Sequence, residues 1–247
     1  MSCSHLVIVI PTYNEATTIL PLVAALETYC PGASLLVVDD ASPDGTGDLI
    51  ESLAQRSPQV HLLRRKGKLG LGSAYVIGFT WALEQGYTLI AQMDADFSHD
   101  PADLPRLLEA INHCDTAIGS RYCPGGETRN WNLGRRLISR SGSLYGTLFF
   151  PSIGLRDLTS GFKVHRREVL EGIGLHRLRS NGYAFQIELS IRARQGGFRL
   201  REIPITFHDR RVGMSKMDHS IVAEAVLRIP WLRFTSHEFP KRRRNSA

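Results

Sequence analysis

Apolar residues recur along this chain in two rhythms that take turns through its first half. Leu6–Ile10 is an unbroken apolar run ended by Pro11, which predicts a strand buried on both faces. Over Thr17–Tyr29 the period changes, and Ile19, Leu22, Val23 and Leu26 share one face of a helix. The alternation continues with a strand at Leu35–Val38, a helix over Gly47–Gln55 and a strand at Val60–Leu63. A helix over 72–85, a strand at Tyr87–Met93, a helix over Ala102–Asn112 and a strand at Thr116–Gly119 follow. Strands separated by helical segments predict an α/β architecture: a mostly parallel sheet with right-handed crossovers and helices on both faces.

The rhythm then breaks. Trp131–Phe150 is predicted helical with an arginine-rich face, Ser160–His165 a strand, Ala184–Gln195 a helix and Arg199–Phe207 a strand. Residues 208–217 read as a mobile polar loop. Ile221, Val222, Ala225, Val226 and Ile229 resume helical spacing until Pro230 kinks or ends it. With no internal repeat and no low-complexity block, the expected organisation is a catalytic domain over 1–217, then a C-terminal amphipathic helix and basic tail over 218–247.

Composition narrows the class. An apolar content of 43% and a charged content of 22% over 247 residues are those of a soluble globular chain able to bury a substantial core. Cys3, Cys30, Cys114 and Cys123 form no Cys-x-x-Cys pair and no zinc spacing, which favours reduced thiols in a cytosolic setting. No apolar run approaches membrane-spanning length. Charge is uneven: residues 121–140 hold five arginines against Glu127, and residues 228–247 hold six Lys or Arg against Glu238. These two segments exceed the whole chain's net charge of +6, so the remainder is slightly acidic. Phosphate groups, an anionic membrane surface or nucleic acid are the partners such patches suit.

The chemistry centres on Asp94-Ala95-Asp96, two carboxylates at the end of an apolar run. At the carboxyl end of a sheet strand they would face whatever binds outside the sheet. Hard oxygen ligands of this kind suit Mg²⁺ or Mn²⁺ shared with a substrate's phosphates, although an Asp-x-Asp in a turn also serves as local capping. Asp100 and Pro101 then mark a helix start. A dinucleotide site is excluded, because Pro11-Thr12-Tyr13-Asn14-Glu15 has no glycine where a pyrophosphate would approach the backbone. Gly67-Lys68-Leu69-Gly70-Leu71-Gly72 fits no phosphate-loop pattern. It reads either as a tight turn into a helix or as an anion-tolerant helix start flanked by Arg64, Arg65, Lys66 and Lys68.

Taken together and in order, these segments resemble the family-2 inverting glycosyltransferases, and within them the polyprenol (dolichol) phosphate mannosyltransferases. The matching stretches are Pro11–Glu15, Val37–Gly45, Lys68–Gly72 and Asp94–Pro101. Further along come Gly119–Tyr122, Asp157–Phe162, Gly182–Gln186 and Asp209–Lys216. The resemblance implies a GT-A fold and transfer of mannose from GDP-mannose to a polyprenyl phosphate. It places Pro11, Tyr13, Glu15, Val38 and Asp40 against the nucleoside, and Asp94 and Asp96 on the metal, with the Ala95 backbone beside the ribose and phosphates. Ser98 falls where some relatives carry a third, Gln ligand. Arg210 and Lys216 would close over the donor diphosphate, with Arg211 a possible sharer of that work. Arg121, Arg135 and Ser139 would grip the lipid phosphate. The catalytic set so implied is Asp94, Asp96, Arg121 and Arg210.

Several residues are left outside that set. Asp157 is read as a turn or capping residue, one of Gln186 and Glu188 as lining the site, and His99, His165 and His208 as ordinary surface or core histidines. The lipid acceptor implies peripheral association with the cytosolic face of a membrane, through a 131–153 hairpin, the C-terminal helix and Lys241–Arg244, with or without a membrane helper subunit. Transfer of glucose or another hexose on the same fold is the nearest rival. A basic nucleic-acid-binding protein fits poorly, since the carboxylate pairs would repel a phosphate backbone and no such motif is present. A phosphatase with an Asp nucleophile would need its Asp pair where this chain has Thr12 and Asn14.

Overall fold

A computed structural model describes residues 3–131, 133–180, 182–209 and 228–233, without the side chains of residues 133, 135, 138 and 183. Its first half follows the predicted rhythm. Strands β1 (Leu6–Thr12), β2 (Ser34–Asp39), β3 (Val60–Arg64) and β4 (Leu89–Gln92) are linked by helices α1 (Ile19–Tyr29), α2 (Thr46–Ala54) and α3 (Leu71–Glu84). All four strands run parallel, in the order β3-β2-β1-β4. Chain order therefore reverses between β1 and β4, and the crevice at such a switch point is where open α/β sheets bind ligands.

Alternation explains why β1 is apolar throughout. Val7 and Val9 enter the core on one face with α3, while Leu6, Ile8 and Ile10 enter the other with α1. The predicted face of α1 is the one that is buried: Ile19, Leu22, Val23 and Leu26. Helix α3 lies close on the sheet, since a Cβ at Gly78 would come within 2.5 Å of Val9 Cγ1.

The second half departs from the prediction in instructive ways. Strand β5 (Thr116–Ser120) and strand β8 (Leu200–Pro204) are parallel to each other, but β7 (Lys163–Arg166) enters between β4 and β5 and runs antiparallel to both. The full order is β3-β2-β1-β4-β7-β5-β8. The predicted strand Arg199–Phe207 is two strands. Pro204, which has no N–H for the ladder, ends β8 at the sheet's edge, and β9 (Thr206–His208) pairs instead with a short strand not foreseen, β6 (Glu127–Arg129). The predicted helix Ala102–Asn112 shrinks to a 3₁₀ turn over Pro101–Asp103 and α4 (Leu104–Ala110); Asp100 caps it as expected, accepting from Ala102 N at 2.9 Å. Residues 131–153 are not a hairpin: one helix, α5 (Leu133–Phe149), is followed by a 3₁₀ turn at Pro151–Ile153. Helix α6 (Arg167–Gly172) was not foreseen, and α7 (Gly182–Gln195) was. Of the C-terminal segment, residues 228–233 are helical on both sides of Pro230, with Ile229 and Leu232 buried in the core. No helix among the described residues is long and apolar enough to cross a membrane.

Candidate active site

Three loops leave the sheet at the carboxyl ends of β1, β2 and β4, and hydrogen bonds between the first two build one wall. Asn14 N donates to Ser42 Oγ, Glu15 N to Thr46 Oγ1 and Ala16 N to Asp44, each at 3.0 Å, so the Pro11–Glu15 turn is stitched to the loop after β2. Burial would raise the pKa of Asp44, but hydrogen bonds from Thr46 and Ala16 outweigh it and hold the carboxylate below its ordinary range. Asp39 is wholly buried and accepts from Thr12 Oγ1 and from Ser42. Asn14, Ala41 and Phe97 all take positive φ in these loops, a backbone strain that clusters here.

Asp40 faces the glycine-rich turn. Its Oδ2 accepts from Leu69 N at 3.1 Å, while Arg65 Nε approaches Oδ1 at 3.0 Å as an ion contact without hydrogen-bond alignment. Burial raises its pKa, and Arg65 with the Leu69 and Gly70 N–H groups offsets only part of that. Lys68 Nζ lies 4.7 Å above the Tyr13 ring. The Lys68–Gly70 turn is thus both a turn into α3 and a lid on Asp40. Pro11 and Val38 are register partners across β1 and β2, and Tyr13, Glu15 and Asp40 follow in the loops beyond them; the Val38 side chain itself is fully buried in the core beneath Gly78.

At the tip of β4, the Asp94 side chain is 33% exposed and Asp96 is buried. Asp96 Oδ1 accepts from Ser98 N at 3.0 Å, turning the chain sharply after the pair. Ser98 itself is buried, with its carbonyl taken by His208 N. Gly161, from the loop entering β7, lies against Asp94: a Cβ there would stand 3.3 Å from Oδ2. Among the described residues no group of three or more His, Cys, Asp or Glu could hold a metal. Two carboxylates alone fit a cation such as Mg²⁺ or Mn²⁺ that completes its shell with phosphate oxygens and water.

The antiparallel entry of β7 brings the Asp157–Phe162 loop to this same edge. Asp157 is fully buried and takes three bonds from Arg121: backbone N at 3.0 Å, Nε at 2.7 Å and an NH2 at 2.6 Å. Burial would raise the Asp157 pKa, but the Arg121 guanidinium overrides it and holds the group low. Asp157 is therefore no mere turn residue; it anchors Arg121, whose guanidinium also faces the rings of Tyr122, Trp131 and Phe207. Ser139 sits on α5 with its Oγ buried and without a hydrogen-bond partner. The Arg135 side chain, and Arg210, Arg211 and Lys216 entirely, lie outside the described residues.

Behind the crevice is a buried polar pillar that sequence reasoning missed. Gln186 Oε1 accepts from Gln92 Nε2 at 2.7 Å and Lys163 Nζ at 2.9 Å, and Gln92 Nε2 also reaches the Gly161 carbonyl at 3.1 Å. Gln186, not Glu188, is thus the α7 residue beneath the site; Glu188 pairs with Arg192. Lys163 is fully buried, and that burial pushes its pKa down to about 7, with Asp157 raising it and Arg121 lowering it further. His165 is a core histidine, pushed down to about 3 by burial and held between Gln92 and Thr116. The overlooked signal was a polar residue inside an apolar strand, Gln92 after Leu89-Ile90-Ala91.

An α/β sheet with a carboxylate pair at its switch point and an antiparallel strand let in beside it defines the GT-A class of glycosyltransferase folds. Comparison with solved structures agrees on the fold: glucosyl-3-phosphoglycerate synthase from Mycobacterium tuberculosis, in complex with Mn²⁺, UDP and glucosyl-3-phosphoglycerate, superposes with a TM-score of 0.65 at 17% identity. That match covers 96% of this chain and 81% of the other. The chain belongs to glycosyl transferase family 2, whose profile matches residues 7–174. It is 46% identical over 224 residues to polyprenol monophosphomannose synthase of Mycolicibacterium smegmatis, covering 90% of this chain and 84% of that protein. It is also 46% identical over 221 residues to undecaprenyl-phosphate mannosyltransferase of Micrococcus luteus, covering 90% of each.

Proposed function

We propose that this glycosyltransferase moves mannose from GDP-mannose to a polyprenyl phosphate, with inversion at the anomeric carbon, giving polyprenyl phosphate mannose and GDP. The observation that carries this reading is the meeting, along one sheet edge, of the Asp94–Asp96 tip with the Arg121–Asp157 pair. The identity with two lipid-phosphate mannosyltransferases supports it. The acceptor phosphate is already an anion, so an oxygen of it attacks the anomeric carbon without a general base. What the reaction needs is neutralisation, because donor diphosphate and acceptor phosphate repel each other.

The roles are those that the family resemblance implies. Pro11, Tyr13, Glu15, Val38 and Asp40 hold the nucleoside; Asp94 and Asp96 hold Mg²⁺ or Mn²⁺, with Ala95 beside the diphosphate. A divalent cation bound there supplies charge compensation for the departing GDP. Arg210 and Lys216, outside the described residues, are assigned to the donor phosphates by the resemblance alone. Arg121, fixed and charge-balanced by Asp157, shapes the acceptor side, with Arg135 and Ser139 on α5 assigned to the lipid phosphate. Preorganised charge of this kind commonly supplies the largest part of such catalysis.

The acceptor's lipid chain calls for a bilayer. Leu137, Leu144 and Leu148 are exposed at 68%, 72% and 72% along α5, flanked by the exposed Arg136 and Arg140, and Trp231 is 45% exposed beside Arg228. These groups dock the enzyme peripherally on the cytosolic face of a membrane, alone or with a helper subunit. Incubation with labelled GDP-mannose or UDP-glucose, Mg²⁺ and polyprenyl phosphate tests the function. A lipid-extractable product from GDP-mannose alone is expected; a product from UDP-glucose alone overturns the mannosyl reading.

A further inference from the structure

The carboxylate of Asp94 is bracketed by two buried side chains that nothing above uses. Tyr75, on α3, is fully buried and its hydroxyl lies 3.5 Å from Asp94 Oδ1. His99 approaches from the other side: its ring is 1% exposed, and Nδ1, which has no hydrogen-bond partner, lies 4.0 Å from Asp94 Oδ2. Neither ring is free to swing. Tyr75 stacks on Phe79 and Phe185 with centroids 5.5 and 5.7 Å away, and His99 stacks on Phe162 at 5.2 Å and meets Phe207 edge-on at 5.1 Å. Gly161 closes the third side of the carboxylate with bare backbone, since a Cβ would stand 3.3 Å from Oδ2 and 3.5 Å from His99 Cε1.

A carboxylate at a strand tip rotates broadly about its terminal torsion, and each orientation offers a cation different lone pairs. Groups behind a metal ligand remove that freedom when they donate to it from fixed positions. We propose that Tyr75 and His99 are positioning residues for Asp94, the hydroxyl donating to Oδ1 and the Nδ1–H facing Oδ2, so that the carboxylate plane is biased before a divalent cation arrives. An imidazole nitrogen that faces a carboxylate carries the proton, and at 4.0 Å the Nδ1–H acts on Oδ2 as an electrostatic contact rather than a formed hydrogen bond. Burial leaves the His99 nitrogen no competing water to bond. The inference rests on the reading of Asp94 as a metal ligand.

The test is Mn²⁺ binding to the full chain with GDP present, by titration calorimetry and electron paramagnetic resonance, for wild type, Tyr75→Phe, His99→Phe and His99→Asn. Tyr75→Phe and His99→Phe keep the aromatic packing and delete only the donors. Each is expected to weaken Mn²⁺ binding on the order of 10- to 100-fold. His99→Asn, whose amide can reach the Nδ1 position, recovers part of the loss. GDP affinity without metal and the metal-free unfolding midpoint stay at wild-type values, which a merely structural role would not allow. Wild-type Mn²⁺ affinity in both Phe variants overturns the proposal. A nitrogen hyperfine coupling to Mn²⁺ in wild type makes His99 a ligand and overturns its positioning role. Should His99→Phe fail to fold, Tyr75→Phe still decides, since it removes a single oxygen. Binding that survives Asp94→Asn together with Asp96→Asn defeats the metal-site reading itself, a distinct result.

Discussion

Single side chains show how much of this site is decided by burial. Asp96 is out of solvent, and the backbone turns to give its carboxylate the Ser98 N–H at 3.0 Å. Asp96→Ala deletes half of the proposed metal pair. We expect transfer to fall by at least about 100- to 1,000-fold, as for other preorganised charges, with the unfolding midpoint little changed; retained turnover in a radiolabel assay sinks the metal-assisted mechanism. Lys163 makes a pH prediction. Its pKa is depressed to about 7 in the folded chain from 10.5, so between those values the unfolded state binds more protons and stability rises with pH. The cost of burying this lysine is complete below about pH 7 and gone above about pH 10.5. Urea unfolding of wild type and Lys163→Met at pH 7, 8.5 and 10 reads it: the variant's stability relative to wild type falls as pH rises, by up to about 1.4 kcal/mol per unit. A flat difference across that range excludes a depressed Lys163.

At the scale of elements, the antiparallel strand β7 matters most. It enters the sheet at the active edge, so the loop before it delivers Asp157 to Arg121 and Gly161 to Asp94 in one pass. A β7 parallel to its neighbours would start at the opposite edge and bring neither. The Arg121–Asp157 pair then holds the end of β5 to that loop with both partners buried. Asp157→Asn leaves a buried guanidinium without its counter-charge, and a loss of about 3–5 kcal/mol is expected in denaturant unfolding. A change below about 1 kcal/mol would mean that the pair is solvated in solution. Helix α5 carries the opposite burden, displaying Leu137, Leu144 and Leu148 on one exposed face while Ser139 keeps a buried hydroxyl near the acceptor side. Local spacing predicted the helix; only its neighbours decide which face stays bare.

For the whole molecule, the relevant question is where it works. Two basic segments and the bare α5 face predict salt-sensitive flotation with anionic vesicles. Truncation after residue 233, which removes Lys241–Arg244 and keeps the buried Ile229 and Leu232, together with Leu144→Glu, should reduce it by at least about tenfold. Binding that is indifferent to salt, to the truncation and to the Leu144 change rules out the docking surface. The chain's own pattern determined the α/β class, the buried strands of the first half, the face of α1 and the positions of the carboxylates, because periodicity, proline and capping act within a few residues. It misjudged or left open what depends on partners distant in sequence. The split of Arg199–Phe207 between two sheets, the direction of β7, the choice of Gln186 over Glu188 and the promotion of Asp157 from turn residue to anchor were all settled by tertiary structure. Each is set by a contact spanning tens of residues, and no local pattern encodes which distant group will satisfy a polar atom once water has been excluded.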